Sequence, residues 1–459
     1  MLFHVLALAA AALLFTGCGG GSSSTTTTNS GTATGASFVV GTDAPMASVT
    51  SFSVVLNSIS ATDSNGNTVQ LLSGTPTVDF ARFNGLQTLL DMNDVPAGTY
   101  TNVAISLGAA TIGYLDTSSA GAPTIQTEAA TLTPSTVNIT LAKPLVVAAA
   151  EAPAGLHVDF DLRKSIQVDS NGQITGQVTP TFAVNAVGPS DAGAYIDEFT
   201  AAVVSVDTTG QSFVVQGPHG RQFTINVNGQ TEWDGGAGLS DLTTSSIVQV
   251  SGELDKADAT LDADEVALLS QDGFYAAGQV TYVTPSPGTA SSFDLYVRGL
   301  LPTTTGLTLG QIAQVNLTGT ENYYIYWMHN SLTEFLFNSS ALLPGQHVAV
   351  GGPASGAANA QAVTVKRVTL KNWGFNGTVV AGSVNAGSDT FQMQINGFAG
   401  ILVPQTVTVY VVGKTDFRNG LSGLADVDSG ANVRVVGLLL RAPAIGQTVL
   451  IAHYVDALN

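Results

Sequence analysis

Few stretches of this chain carry residues that could do chemistry. The densest is Tyr323-Tyr324-Ile325-Tyr326-Trp327-Met328-His329. On a strand, Tyr324 and Tyr326 share one face and Tyr323 and Trp327 the other, so an exposed face would offer planes that stack on sugars or meet a partner. Simple packing of an enlarged hairpin is the alternative. A second stretch, His157-Val158-Asp159-Phe160-Asp161-Leu162-Arg163, reads as a strand with His157, Asp159, Asp161 and Arg163 along one side. One imidazole and two carboxylates there are donors a divalent cation accepts, although alternate strand residues lie about 6.5 to 7 Å apart. The alternative is a solvated face on which Arg163 neutralises Asp161. Asp63-Ser64-Asn65-Gly66-Asn67 has its glycine in fourth place and no closing Glu, so it reads as a hairpin turn rather than a calcium loop. Glu253, Asp255, Asp258, Asp262, Asp264 and Glu265 form an acidic run, read as a solvated loop with weak calcium binding as its alternative.

Enzyme signatures are missing from the sequence. It contains no Gly-x-Ser-x-Gly elbow, phosphate loop or His-Glu-x-x-His pair. The single cysteine, Cys18, sits before Gly19-Gly20-Gly21-Ser22, which supplies neither the base nor the positive charge that a reactive thiolate needs. No cofactor is expected. The sequence therefore predicts a protein that is not an enzyme, with an unrecognised hydrolase as the minor alternative.

The elements expected to position these residues are strands. SFSVVLNSISA (51–61), YTNVAISLG (100–108), QFTINVNG (222–229) and TVTVYVVG (406–413) alternate apolar and polar residues, and 50 glycines supply frequent turns. Asn65-Gly66 and Asn171-Gly172 are the strongest hairpin signals. A short helix is expected only over Phe83 to Asn93. Pro96-Ala97-Gly98-Thr99-Tyr100 reads as a corner in which Gly98 permits a positive φ.

After residue 196 one pattern occurs three times: two strands and a turn, a polar mark, a strand ending in glycine, and a closing strand. The marks are Thr231-Glu232-Trp233, Thr320-Glu321-Asn322 and Thr415-Asp416-Phe417. From mark to Val-x-Val strand the outer units use 17 residues (Thr231 to Val248) and 18 (Thr415 to Val433), the middle one 28 (Thr320 to Val348). The extra residues adjoin the aromatic stretch, and insertions in repeats often carry binding surfaces. Expected boundaries are a leader over 1–17, a tether over 18–36, a β-sandwich over 37–188, and small barrels over 196–270, 274–370 and 373–459. The fold class is all-β.

Three resemblances follow from these residues. The Thr-acidic-aromatic mark and the Val-x-Val-x-Gly strand resemble domain-of-unknown-function family 5666, which implies OB-like barrels. Thr42 to Pro45, Pro96 to Tyr100 and Asp159 to Asp161, in that order, resemble domain-of-unknown-function family 4382, which implies an antiparallel β-sandwich of no established activity. Leu14-Phe15-Thr16-Gly17-Cys18, after an apolar run of 14 residues, resembles the bacterial lipobox. That resemblance implies cleavage before Cys18 and lipidation of its thiol, and Gly19 in place of Asp then implies the outer membrane. The run is too short to span a bilayer as a helix and fits a secretory leader. The absence of Lys or Arg ahead of it points to a start further upstream. Gly19 to Ala36 is Gly, Ser, Thr, Ala and one Asn, a tether reaching roughly 25 Å.

Lys and Arg number 14 against 33 acidic residues, a formal charge of −19, which argues against nucleic acid and against electrostatic attachment to anionic lipid. The expected partners are the membrane, through the lipid, and a polysaccharide or another envelope protein. The function expected is non-catalytic presentation of a binding surface at the cell envelope; a structural spacer or assembly subunit is the alternative.

Overall fold

The computed structural model describes residues 33–44, 49–116, 122–149, 153–170, 173–188, 191, 194–217, 220–235, 237–255, 260–285, 288–302, 306–327, 335–353, 362–395, 405–441 and 446–458. Cys18, the leader, nearly all of the tether, His329 and the Asn171-Gly172 turn lie outside the described residues. Nearly every described element is a strand, as alternation predicts.

The N-terminal module packs two sheets face to face. One orders Phe182–Val187, Ala154–Asp161, Thr34–Ala44 and Thr88–Pro96; the other is built on Ser51–Asp63 and the 19-residue strand Gly98–Asp116. Thr34–Ala44 and Ala154–Asp161 run parallel, with Val39 opposite Leu156. Alternate residues point inward, so Phe52, Phe80 and Phe160 meet edge to face at 5.1 to 5.2 Å between the sheets. Asp63 closes its hairpin by accepting the Asn65 and Asn67 backbone N–H groups at 2.8 Å each, with Gly66 at φ 88°. The corner also forms: the Tyr100 hydroxyl donates to the Pro96 carbonyl at 2.6 Å. Gly98 does not adopt the positive φ expected of it.

Each repeat then runs its strands around a ring. In the third, Trp373–Val379, Thr390–Ile395, Gln405–Arg418, Thr448–Ala457 and Asn432–Arg441 close a barrel. In the first, Ile196–Asp207 lies between Ser212–Gln216 and Ile247–Leu254, and a parallel contact of Ile225 with Leu261 joins Gln222–Asn226 to Leu261–Ser270. In the second, the last strand is broken into Ala362–Thr364, beside Ile312–Asn316, and Arg367–Lys371, beside His347–Pro353. The polar marks are structural. Thr231 Oγ1 donates to the Ala263 carbonyl at 2.8 Å and accepts the Asn228 N–H; Thr415 Oγ1 donates to the Ala452 carbonyl at 2.6 Å and accepts the Val412 N–H. Both tie the segment that carries the mark to the closing strand of its repeat. In the middle repeat Glu321 takes over, its carboxylate accepting the Thr318 and Gly319 N–H groups.

The repeats are joined by almost no linker. Only Gln271 and Asp272 separate Leu261–Ser270 from Gly273–Thr284, and only Asn372 separates Arg367–Lys371 from Trp373–Val379. Their cores merge accordingly: Ile247 and Leu269 of the first repeat and Leu438, Leu440 and Ile451 of the third belong to the core of the second. Phe38 and Met92 of the sandwich likewise share a core with the first repeat.

The expected helix over Phe83 to Asn93 does not form. A single 3-10 turn, Phe80–Arg82, is followed by a tight corner at Asn84 (φ 45°) and Gly85 (φ 85°), then by the strand Thr88–Pro96. The corner projects residues 83–88 among the repeats. Asn84 Nδ2 donates to the Gly374 carbonyl at 2.6 Å, the Tyr454 hydroxyl to the Gly85 carbonyl at 3.0 Å, and the Gln87 N–H to Asp197 Oδ2 at 2.8 Å. Leu86 is buried against Val436 and Tyr454. Leu86 and Leu89 thus have different partners, which a helix placing them on one face would not allow.

Asn84→Ala leaves the Gly374 carbonyl without this donor and should cost about 1–3 kcal/mol. Gly374→Ala, whose Cβ would lie 2.4 Å from the Asn84 carbonyl oxygen, should cost a similar 1–3 kcal/mol through overpacking. Denaturant midpoints for both variants against the parent check this.

Candidate functional site

The aromatic stretch is internal. Tyr326 and Trp327 are 3% and 5% exposed, and Tyr323 and Tyr324 are half-buried. The expectation that Tyr323, Tyr324, Tyr326 and Trp327 present a binding face is therefore corrected for Tyr326 and Trp327, because the first and third repeats cover them. The Tyr326 hydroxyl meets Ser251 Oγ of the first repeat at 2.5 Å, and the Trp327 ring lies 4.3 Å from His453 of the third. Trp327 has φ 75°, a left-handed value costly for a bulky residue, and its N–H donates to the Asp234 carboxylate. Tyr323 meets Phe337 edge to face, and burial raises its hydroxyl to about 12. Tyr324 lies under the Arg367 guanidinium at 4.0 Å.

The His157, Asp159 and Asp161 set is also not a metal centre. The strand stops at Asp161, which caps the turn Leu162–Ser165 by accepting the Lys164 N–H at 3.0 Å and pairs with Lys164 Nζ at 2.7 Å. Arg163 leaves the strand face on that turn, so Lys164 and not Arg163 neutralises Asp161. Asp159 faces Asp43, whose carboxyl is pushed well above the usual range by burial and then by the Asp159 charge. Among the described residues, no three His, Cys, Asp or Glu side chains are placed to hold a metal ion.

The acidic run divides. Glu253 and Asp262 are exposed, whereas Glu265 is buried beside Asp234 in a pocket of about 250 Å³. Burial, then the hydrogen bond to Asp234, raises Glu265 well above its ordinary value. Asp234 also accepts the Trp327 backbone N–H and so ties the insertion to the first repeat.

A cleft of about 280 Å³ opens where the sandwich meets the first two repeats. The projecting segment gives Arg82, Phe83 and Leu86; the first repeat gives Glu198, Phe199 and Gln216; the second gives Tyr275, Arg298 and His347. Beneath it Lys371, 1% exposed, forms an ion pair with Glu198. Burial opposes charge on each partner, yet their mutual attraction prevails, with Lys371 raised and Glu198 lowered. Arg298 is buried, its guanidinium 4.9 Å from the Trp373 ring and 5.2 Å from that of Tyr296. Burial lowers Arg298 and the Asp79 charge opposes that effect; a guanidinium stays protonated regardless. Burial, with Lys371 adding to it, depresses His347 to about 3. The neutral ring donates Nδ1–H to the Asn372 carbonyl at 3.0 Å, leaving Nε2 as an acceptor. Asn372 in turn donates its amide N–H to His453 Nδ1 at 2.9 Å. Sequence reading missed this site because its parts lie from residue 82 to residue 371. The one local signal was the Asn84-Gly85 pair, a turn dipeptide inside an otherwise apolar stretch.

The fold and cleft define a multi-module all-β protein with a concavity at a junction between modules. Residues 37–175 match the family model described as domain of unknown function (DUF4382), and residues 201–267 match domain of unknown function (DUF5666). The first match falls in the sandwich and the second in the first repeat. No curated protein matches the chain. Among solved structures, one titled "Crystal structure of Ag(I)CusF" is 9% identical over 19% of this chain and 99% of that one, with a TM-score of 0.15, which carries no argument.

Removing the Trp327 side chain should leave a void at the contact of all three repeats. Trp327→Ala is expected to destabilise by about 3–5 kcal/mol, measured by denaturant unfolding. Acid should act through the buried seam. His347 and His453 are both depressed to about 3, chiefly by burial, so their contribution is complete above pH 6.5 and is lost as pH falls toward 3. Asp197, raised to about 6 by burial, takes up its proton more readily folded than unfolded and opposes that loss between about pH 6 and 4. Relative to the parent, the change in unfolding free energy from pH 7 to pH 4 should be shifted toward loss in Asp197→Asn and away from loss in His453→Gln.

Proposed function

We propose that this chain is a lipid-anchored cell-envelope protein without catalytic chemistry, whose interdomain cleft recognises a polysaccharide or another envelope component. The cleft carries this reading. It brings donors, acceptors and apolar surface from three modules to one concavity, the usual setting of a ligand site, and its histidine is held neutral by burial. With Tyr326 and Trp327 taken up in packing, the cleft replaces the aromatic stretch as the binding surface. Anchoring rests on the lipobox-like Leu14 to Cys18 and on the tether after it. Among the described residues, no helix is long and apolar enough to cross a membrane, and a lipid on Cys18 would not require one. Contacts between every pair of repeats support a closed block over a string-like spacer: Arg367 donates to the Leu268 carbonyl at 2.8 Å, Gln346 to that of Leu439 at 3.0 Å, and Lys414 pairs with Glu232 at 2.5 Å.

Mass spectrometry of the mature amino terminus should find acylated Cys18, and Cys18→Ser should shift the protein out of the membrane fraction. The mature protein should be retained on cell-wall polysaccharide. An unmodified Cys18 would overturn the anchor, and failure to retain any envelope polysaccharide or protein would overturn the recognition role.

A further inference from the structure

Asn-Gly occurs seven times in the sequence, and the pairs at Asn171 and Asn396 lie outside the described residues. In such a pair the glycine N–H can attack the asparagine side-chain amide, because glycine puts no Cβ in the way. Attack needs a side chain free to swing onto the next nitrogen and a glycine N–H that no acceptor holds. The fold withholds one or both at four of the five described pairs. Gly66 donates its N–H to the Asp63 carbonyl at 3.2 Å. Asn84 is buried, and its side chain donates to the Gly374 carbonyl. Asn228 Oδ1 accepts the Gln230 N–H at 2.8 Å. Asn376 lies within the strand Trp373–Val379, where its Oδ1 accepts Arg434 Nε–H at 3.2 Å and Gly377 is paired with Ile395 and Val433. Asn419-Gly420 differs from all four. Both residues are exposed, in the turn after Gln405–Arg418, and both take left-handed φ values, 55° and 94°. Among the described residues nothing accepts the Gly420 N–H, and a Cβ on Gly420 would meet no atom within 4 Å. The Asn419 side chain donates to Asp456 Oδ1 at 3.4 Å, a long bond that restrains the amide only weakly.

We propose that Asn419-Gly420 is a site of spontaneous covalent modification, at which the asparagine converts to aspartate and isoaspartate. The Gly420 nitrogen bonds to Asn419 Cγ, the Cγ–Nδ2 bond breaks, and ammonia leaves with the Gly420 proton. Water then opens the cyclic imide at one of its two carbonyls. Cleavage at Cγ leaves aspartate in the ordinary backbone, and cleavage at the Asn419 main-chain carbonyl leaves a backbone that runs through the side chain. The open space around Gly420 accommodates both the ring and the lengthened chain. Neither product keeps the amide that donates to Asp456. Each adds a carboxylate to the turn beside the buried Asp456, and like charges repel.

The test incubates the full mature protein, folded in detergent, in mildly alkaline buffer and digests it under acid conditions. Peptide mass spectrometry with fragmentation that separates aspartate from isoaspartate then follows each pair. Asn419 is expected to convert at least tenfold faster than Asn84 and Asn376, faster than Asn65 and Asn228, and to both products. In urea, where the turns and strands no longer hold these side chains, the five rates should converge. Asn419→Gln, whose longer side chain disfavours ring closure, should remove the conversion at an exposed position that does not threaten folding. Conversion of Asn419 no faster than that of Asn84 or Asn376, a faster rate at Asn65 or Asn228, or aspartate without isoaspartate would each overturn the assignment. So would undiminished conversion in Asn419→Gln, or a preference for Asn419 that persists unchanged in urea.

Discussion

The sandwich reaches two repeats at once through one backbone corner. Asn84 and Gly85 both take left-handed φ values, a conformation that Asn tolerates and Gly adopts freely. The chain turns there sharply enough to lay residues 83–88 against two repeats at once. Without that turn, Asn84 would not reach Gly374, nor Gln87 reach Asp197. The cleft wall, to which Arg82, Phe83 and Leu86 contribute, depends on the same docking. Close approach sets a second condition. Gly374 leaves room for the Asn84 carbonyl only because it has no Cβ, so the two contact surfaces are matched residue by residue.

The repeats show how one sequence pattern can serve a common purpose by different means. In the outer repeats a threonine hydroxyl receives one backbone N–H and donates to a carbonyl of the closing strand, satisfying groups that would otherwise be buried unpaired. In the middle repeat Glu321 instead accepts the local N–H groups of Thr318 and Gly319. Its extra residues then take a separate path, bringing Trp327 to the contact of all three repeats. Packing accounts for Tyr326 and Trp327 of that stretch.

Local features of this fold were legible in the sequence, and distant ones were not. Alternation in Ser51–Asp63 identified its buried face, Asn65-Gly66 identified its hairpin, and Pro96 to Tyr100 its corner, because each depends on neighbours a few residues away. The repeat pattern located the units. The cleft escaped notice because Arg82, Glu198, Arg298 and Lys371 are unremarkable alone and are brought together only by the fold. The leucine spacing at Leu86 and Leu89 suggested a helix because periodicity records burial without saying that two different partners do the burying. Asp161 illustrates the same limit: its place in an alternating run suggested a ligand, while its bonds to Lys164 make it a cap.

The near absence of linkers has a consequence for how such a chain changes through descent. A repeat bounded by flexible spacers can be duplicated, lost or exchanged as a unit. Here Leu438, Leu440 and Ile451 of the last repeat complete the interior of the one before it, and a single residue, Asn372, separates the two. Deleting either would strip apolar surface from the other. The three copies are therefore interdependent in their packing.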